Sequence, residues 1–282
     1  MVILLGLAAA VLYGGGDFIG GMATRRAHVL TVLTLAETAG VIAALAAALI
    51  APGAASPTGL AWGFSAGVIG GLGLIIFYIG LATGPMSVVA PVSGLVSTVL
   101  PVAVALAWGE RPGAGVYAGA LLCLVAIVLA SSAGDTGTSR GAGRPGRAIA
   151  YGTASGTAFG LFFLLIRNAG QSGAVWPVAA GRVGELVAVL GTALVLRRGL
   201  SARGVDGRLL LAASFAGVID VIANICYVAA TRTGMFGLAV VMASLYPGVT
   251  VLLARVVLGE RLRWIQRAGL ALAALGILLI AI

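Results

Sequence analysis

The chain has 282 residues, of which 61% are hydrophobic and 9% charged, with a mean hydropathy of +1.15 and a net charge of +9. A soluble domain carries about a quarter charged residues, so this composition excludes a wettable globule and predicts an all-α integral membrane protein. The charge does not point to nucleic acid, because the arginines sit in short loops between apolar runs, as membrane topology requires.

The first apolar run continues to about Met22 without a basic flank, so it reads as a spanning helix and not as a cleaved leader. A bilayer core of about 30 Å takes about 20 apolar residues per helix. Breaks at Pro, Gly and Arg clusters then predict ten spans, at 2–22, 28–50, 60–81, 85–107, 113–132, 147–168, 173–196, 208–231, 235–258 and 264–282. Trp62, Trp108, Trp176 and Trp264 fall at predicted helix ends, as an interfacial aromatic belt would place them. The stretch from Ser132 to Arg147, rich in Gly, Ser and Arg, reads as a flexible linker at 133–146 between a first unit (1–132) and a second (147–282).

The two units are copies. Residues 66–131 and 216–281 align without a gap at an offset of 150, matching Ala66-Gly67-Val68-Ile69 to Ala216-Gly217-Val218-Ile219 and Gly109-Glu110-Arg111 to Gly259-Glu260-Arg261. With small indels the match extends upstream, pairing Glu37 with Glu185 and Tyr13-Gly14 with Phe159-Gly160. Five spans per copy is an odd number, so the second copy enters the bilayer from the opposite side. Two inverted five-helix repeats with a site near the midplane between them is an architecture of secondary transporters.

Seventeen of the charged residues are basic and all are arginine, which excludes a Walker A lysine and a Schiff-base lysine. His28 is the one histidine, so no metal cluster or cofactor site is expected. Cys123 and Cys226 lie within apolar segments and read as small hydrophobes. Gly63-Phe64-Ser65-Ala66-Gly67 matches the serine-hydrolase pattern, but that chemistry demands a strand-to-helix elbow and a histidine base. No enzyme activity is expected.

The duplicated Gly-Glu-Arg at the end of the fourth helix of each half, with Pro247 before the second copy and Gly119 or Gly269 in the fifth helix, resembles the drug/metabolite transporter superfamily in its ten-helix EamA-type branch. The resemblance covers essentially the whole chain. It implies a bundle with a central cavity lined mainly by helices 3, 4, 8 and 9, in a multi-pass protein of the bacterial plasma membrane, as a monomer or homodimer. It also implies both termini inside the cell, whereas the excess of arginine in the odd-numbered loops predicts them outside.

An acid at a helix centre costs about 2.5–3.5 kcal/mol on insertion scales, so such residues face a cavity or a partner. Glu37, Glu185 and Asp220 fall nearest mid-bilayer, with Asp17 somewhat off centre. Arg182, three residues before Glu185 on the same helix face, predicts a structural ion pair there. Glu37 has no such partner in its own helix, which leaves a structural and a functional role both open. Asp220 aligns with Gly70 and Asn224 with Leu74, so this pair, four residues apart on one face, exists in one copy only. It is expected to bind a polar substrate group or a coupling proton, or else to join helices by a hydrogen bond. Asp17 resembles the acidic first-helix residue of the small multidrug resistance relatives. Phe77, Tyr78, Tyr227 and Tyr246 are candidates for contact with an amphipathic substrate, and Arg255 for snorkelling to the interface. The glycine strips Gly63-Gly67-Gly71 and Gly152-Gly156-Gly160 predict close helix packing, with a smooth cavity wall as the alternative for the first.

The expectation is a secondary active transporter, an exporter of a small organic metabolite such as an amino acid or a cationic compound, with a proton as the candidate coupling ion. A flippase for a lipid-linked sugar and a structural or receptor membrane protein are the alternatives.

Overall fold

A computed structural model describes residues 1–24, 26–51, 53–83, 86–131, 145–169, 174–196, 205–258 and 264–281. The turn residues Gly84 and Pro85, most of the linker, the second Gly-Glu-Arg copy and the side chain of Arg255 lie outside this set.

Helices α1 (Val2–Thr24), α2 (Val29–Ile50), α3 (Pro57–Thr83), α4 (Met86–Ala107) and α5 (Ala114–Ser131) form the first half. The second half holds α6 (Pro145–Ala169), α7 (Val175–Val195), α8 (Gly207–Thr233), α9 (Phe236–Ala243), α10 (Tyr246–Leu258) and α11 (Trp264–Ala281). α6 begins two residues earlier than expected, with a proline at its first position, where the missing amide hydrogen costs nothing. The predicted span 235–258 is interrupted, because α9 ends at Ala243 and α10 starts at Tyr246. Pro247 supplies the reason: it has no N–H to donate to Ala243, and the chain instead makes tighter bonds from Leu245 to Met242 and from Gly248 to Leu245. Span nine is therefore two helices end to end, and the bundle has ten spans.

Six of these helices (α1, α2, α3, α6, α7 and α8) are long and apolar enough to cross a bilayer unaided. The remaining spans carry shorter apolar stretches of 10–17 residues among the described residues. Their outward faces are apolar, with Leu4, Ile50, Leu194, Leu211 and Val256 among the strongly exposed side chains, which suits a lipid solvent and not water.

Several helix contacts recur when the halves are exchanged. α1 packs on α8 as α6 packs on α3, α2 on α8 as α7 on α3, and α1 on α9 and α10 as α6 on α4. α2 and α7 are equivalent helices and pack on each other, as do α5 and α11. Both self-paired couples run antiparallel. The Trp176 indole N–H at the start of α7 donates to the Gly53 carbonyl just beyond the end of α2 (3.3 Å). In the other couple Gly115 approaches Leu279, and Gly276 approaches Gly119. Equivalent helices running in opposite senses make the repeats inverted.

Glycines set the closeness of the half-to-half contacts. A Cβ on Gly63 would lie 2.2 Å from the Pro177 carbonyl oxygen, and one on Gly67 only 1.8 Å from that of Gly181. The Gly63-Gly67-Gly71 strip is thus a seam against α7 and not a cavity wall. Its counterpart Gly152-Gly156-Gly160 packs on Val89, Ser93 and Leu100 of α4.

Candidate functional site

The seam between α3 and α7, together with α2 and α8, brings four charged side chains from three helices to one point in the middle of the bundle. Arg182 of α7 is 3% exposed. Its Nη1 donates to Oε2 of Glu37 on α2 at 3.1 Å and stands 2.7 Å from Oε2 of Glu185 one turn along its own helix. Its Nη2 donates to Oδ2 of Asp220 on α8. Three carboxylates thus share one guanidinium. A buried ion pair holds only if its geometry is good and its remaining lone pairs are met, and Arg is suited to this because its fixed fork serves several oxygens at once.

The duplication explains why the charges lie where they do. Glu37 and Glu185 are repeat partners on the antiparallel α2–α7 couple, so they approach each other about the pseudo-twofold axis. Arg182 aligns with Thr34 and Asp220 with Gly70. A Cβ placed on Gly70 would lie 3.3 Å from Oε1 of Glu185, the position from which Asp220 answers in the other half. One half supplies an acid and an arginine where the other has glycine and threonine, and a symmetric frame thereby carries an asymmetric site.

Asn224 follows Asp220 by one turn. Its Nδ2 donates to the Asp220 carbonyl (2.9 Å) and to Oδ2 (3.3 Å), while its Oδ1 has no hydrogen-bond partner among the described residues, although the residue is only 2% exposed. The Tyr13 hydroxyl on α1 is likewise without a partner there. A buried polar atom left open usually marks a place for water or a ligand group.

Asp17 is exposed and is a charge neighbour of Asp220, Tyr78 and Tyr246. Tyr13 and Tyr246 meet edge to face (6.2 Å between ring centroids), and Phe77 bridges Tyr78 and Phe159 at 5.9 and 6.0 Å. Asp17, Tyr78, Tyr246 and the exposed edge of Asp220 thus stand together on one side of the centre.

The other side is sealed. Tyr227, expected with the binding residues, is fully buried, stacks on Phe163 at 4.7 Å and donates to the Phe163 carbonyl at 3.4 Å. Sequence spacing put it near the site but gave no indication that α6 would cover it. Beyond it, Arg167 in the last turn of α6 caps the adjoining rings of Trp108 (4.6 Å) and Phe236 (4.8 Å), which themselves meet at 6.1 Å. The duplicated motif closes this end. Gly109 adopts φ +92°, which ends α4 in a Schellman turn with bonds from Gly109 to Leu106 and from Glu110 to Ala105. The turn carries Glu110 to the start of α9, where its carboxylate accepts from the amides of Phe236 (2.7 Å) and Gly237 (3.0 Å). An anion at a helix N-terminus satisfies orphan donors and the helix dipole together. Neither Glu110 nor Arg167 was assigned a role from the sequence, since both partners are remote in the chain.

The charged centre stands on α2, α7 and α8, with Tyr13 of α1, Tyr78 of α3 and Tyr246 of α10 beside it.

The sequence profile of the EamA-like transporter family matches residues 1–132 and 146–282, once in each half. The chain belongs to the EamA-like transporter family. It is accordingly a multi-pass membrane protein of a transporter family, and not an enzyme. No curated protein matches it. Among solved structures, one described only as "Crystal structure of protein" is similar over 99% of this chain and 95% of its own, with 19% identity and a TM-score of 0.73. At that identity the likeness shows the shared fold alone.

Proposed function

We propose that this EamA-like protein is a secondary active transporter that exports a small organic metabolite bearing one positive charge, such as an amino acid or an organic amine, by alternating access. Protons are its coupling ions, and a plasma membrane is its location. The observation that carries this reading is the charge count at the centre: three carboxylates surround one guanidinium, with a fourth, Asp17, nearby. Buried negative charge in excess is costly in a low-dielectric interior, and a cation or a proton is what relieves it. Tyr13, Tyr78 and Tyr246 beside the acids supply aromatic faces, which favour an organic cation over a hydrated metal ion. Asp220, Asn224, Asp17, Tyr78 and Tyr246 form the substrate site in this reading, with Glu37 and Glu185 behind it.

The test is uptake into proteoliposomes of a panel of amino acids and monovalent amines, with and without a pH gradient. The reading expects at least one cationic compound to be carried, faster with protons available on the opposite side. Transport confined to anions, or lipid-dependent movement of a lipid-linked sugar with no small solute carried, would replace it.

A further inference from the structure

The three acids at the centre are not equivalent. The side chains of Glu37 and Glu185 are 6% and 11% exposed and Arg182 is 4% exposed, whereas that of Asp220 is 31% exposed. Only Asp220 meets what enters from the open side. Glu37 and Glu185 address the same nitrogen, Nη1, at 3.1 and 2.7 Å. Two buried carboxylates gathered on one nitrogen repel strongly when both are ionised, and a proton shared by the pair relieves that repulsion. Asp220 has the other nitrogen, Nη2, to itself.

We propose that Arg182 couples two sites: Asp220 takes the ammonium of the substrate, Arg182 turns wholly to Glu37 and Glu185, and the proton those glutamates share leaves to the cavity water. This inference rests on the cationic substrate of the preceding section. The balance closes, since one cation enters and one proton departs: the glutamate pair passes from singly protonated to fully ionised, with the whole guanidinium now facing it, while Asp220 stays ionised against the ammonium. Net charge at the centre is the same before and after, so no uncompensated charge is left in the bundle at either end of the step. Asn224 serves the arrival, because its Nδ2 holds Asp220 in place while its unpartnered Oδ1 offers the ammonium a second acceptor. Arg182 touches neither substrate nor solvent in this scheme and is a positioning residue.

The groups that face the glutamate pair from the packed helices are Tyr13 on α1, Tyr78 on α3 and Asp220 on α8, with Asp17 on α1 and Tyr246 on α10 beyond them. α6 presents Phe162 against Gly70 beside the pair, and its Arg167 is occupied at the sealed end. Arg182 is thus the one cation among the described residues at the centre, and every charge on which the exchange depends is accounted for.

The experiment is proton release from the full-length protein in weakly buffered detergent solution, read with a pH indicator as phenethylammonium is added. N-acetylphenethylamine, which is neutral, is the control. The wild type is expected to release about one proton per cation bound and none with the control. In Glu185→Gln, or in Glu37→Gln should the first fail to fold, release per bound cation is expected to fall to less than about a fifth of that. A wild type that binds the cation without releasing a proton, or glutamine variants that both release it undiminished, would overturn the coupling while the cationic site stands. A wild type that does not bind the cation at all removes the cationic site, and the coupling with it.

Discussion

Arg182 and Asp220, 38 residues apart and on different helices, are joined through Nη2 and Oδ2 at a point where the two inverted halves depart from symmetry. Their repeat counterparts are Thr34 and Gly70. The duplication therefore built the frame, and divergence at these two positions gave it an off-axis charge.

Removing the guanidinium strands acids that cannot reach water. Arg182→Gln is expected to cost about 3–5 kcal/mol, as breaking a buried ion pair does, and to lower the melting temperature in detergent by several degrees. Combining it with Glu185→Gln removes one of the stranded charges, so the double variant should melt above Arg182→Gln alone. Equal melting of the single and double variants would mean that the pair contributes nothing jointly.

The glycine seam makes a prediction whose sign runs against intrinsic preference. Gly→Ala within a helix ordinarily favours the helix by about 1 kcal/mol. At Gly67 the new Cβ would lie 1.8 Å from the Gly181 carbonyl oxygen, whereas at Gly20 nothing lies within 4 Å. Gly67→Ala should therefore lose folded protein, and Gly20→Ala should not, when monodisperse yield is compared by gel filtration.

Glu110 holds α9 by charge as well as by hydrogen bonding. Glu110→Gln keeps one acceptor oxygen and loses the charge, and Glu110→Ala loses both. The expected costs are about 0.5–1 kcal/mol and about 1–2 kcal/mol respectively. Hydrogen exchange at the Phe236 and Gly237 amides, the two it accepts from, should accelerate in the same order.

The cluster of Arg167 with Trp108 and Phe236, together with the buried Tyr227, closes the end of the bundle on which α4 and α6 terminate. A small cysteine-directed cation applied from the opposite face should label Asp17→Cys readily and Tyr227→Cys at least tenfold more slowly. Comparable labelling at both positions would show that the seal is open.

Much of this architecture is legible in the sequence. The composition and the repeat dictate ten spans in two opposed halves, and helix periodicity puts Asp220 with Asn224, and Arg182 with Glu185, on single faces. What periodicity does not fix is the rotation of each helix against helices remote in sequence. Hence the bonds from Arg182 to Glu37 and to Asp220, which cross between helices, left no trace in the chain. Tyr13 and Tyr227 illustrate the same limit. Both are aromatic residues on apolar helices, yet one stands beside the centre with its hydroxyl unsatisfied and the other is sealed under Phe163. The interruption of span nine was foreshadowed by Pro247, but its location followed only from which carbonyls the chain could still satisfy.

The most direct test of the central claim is calorimetric binding of a monovalent amine to the wild type and to Asp220→Asn, with thermal melts recorded on the same preparations. Losing a charged hydrogen-bond partner costs about 1.5–3 kcal/mol, which is roughly tenfold or more in affinity. The account predicts that weakening in Asp220→Asn while both proteins still melt cooperatively. Equal affinity in two well-folded proteins would contradict it.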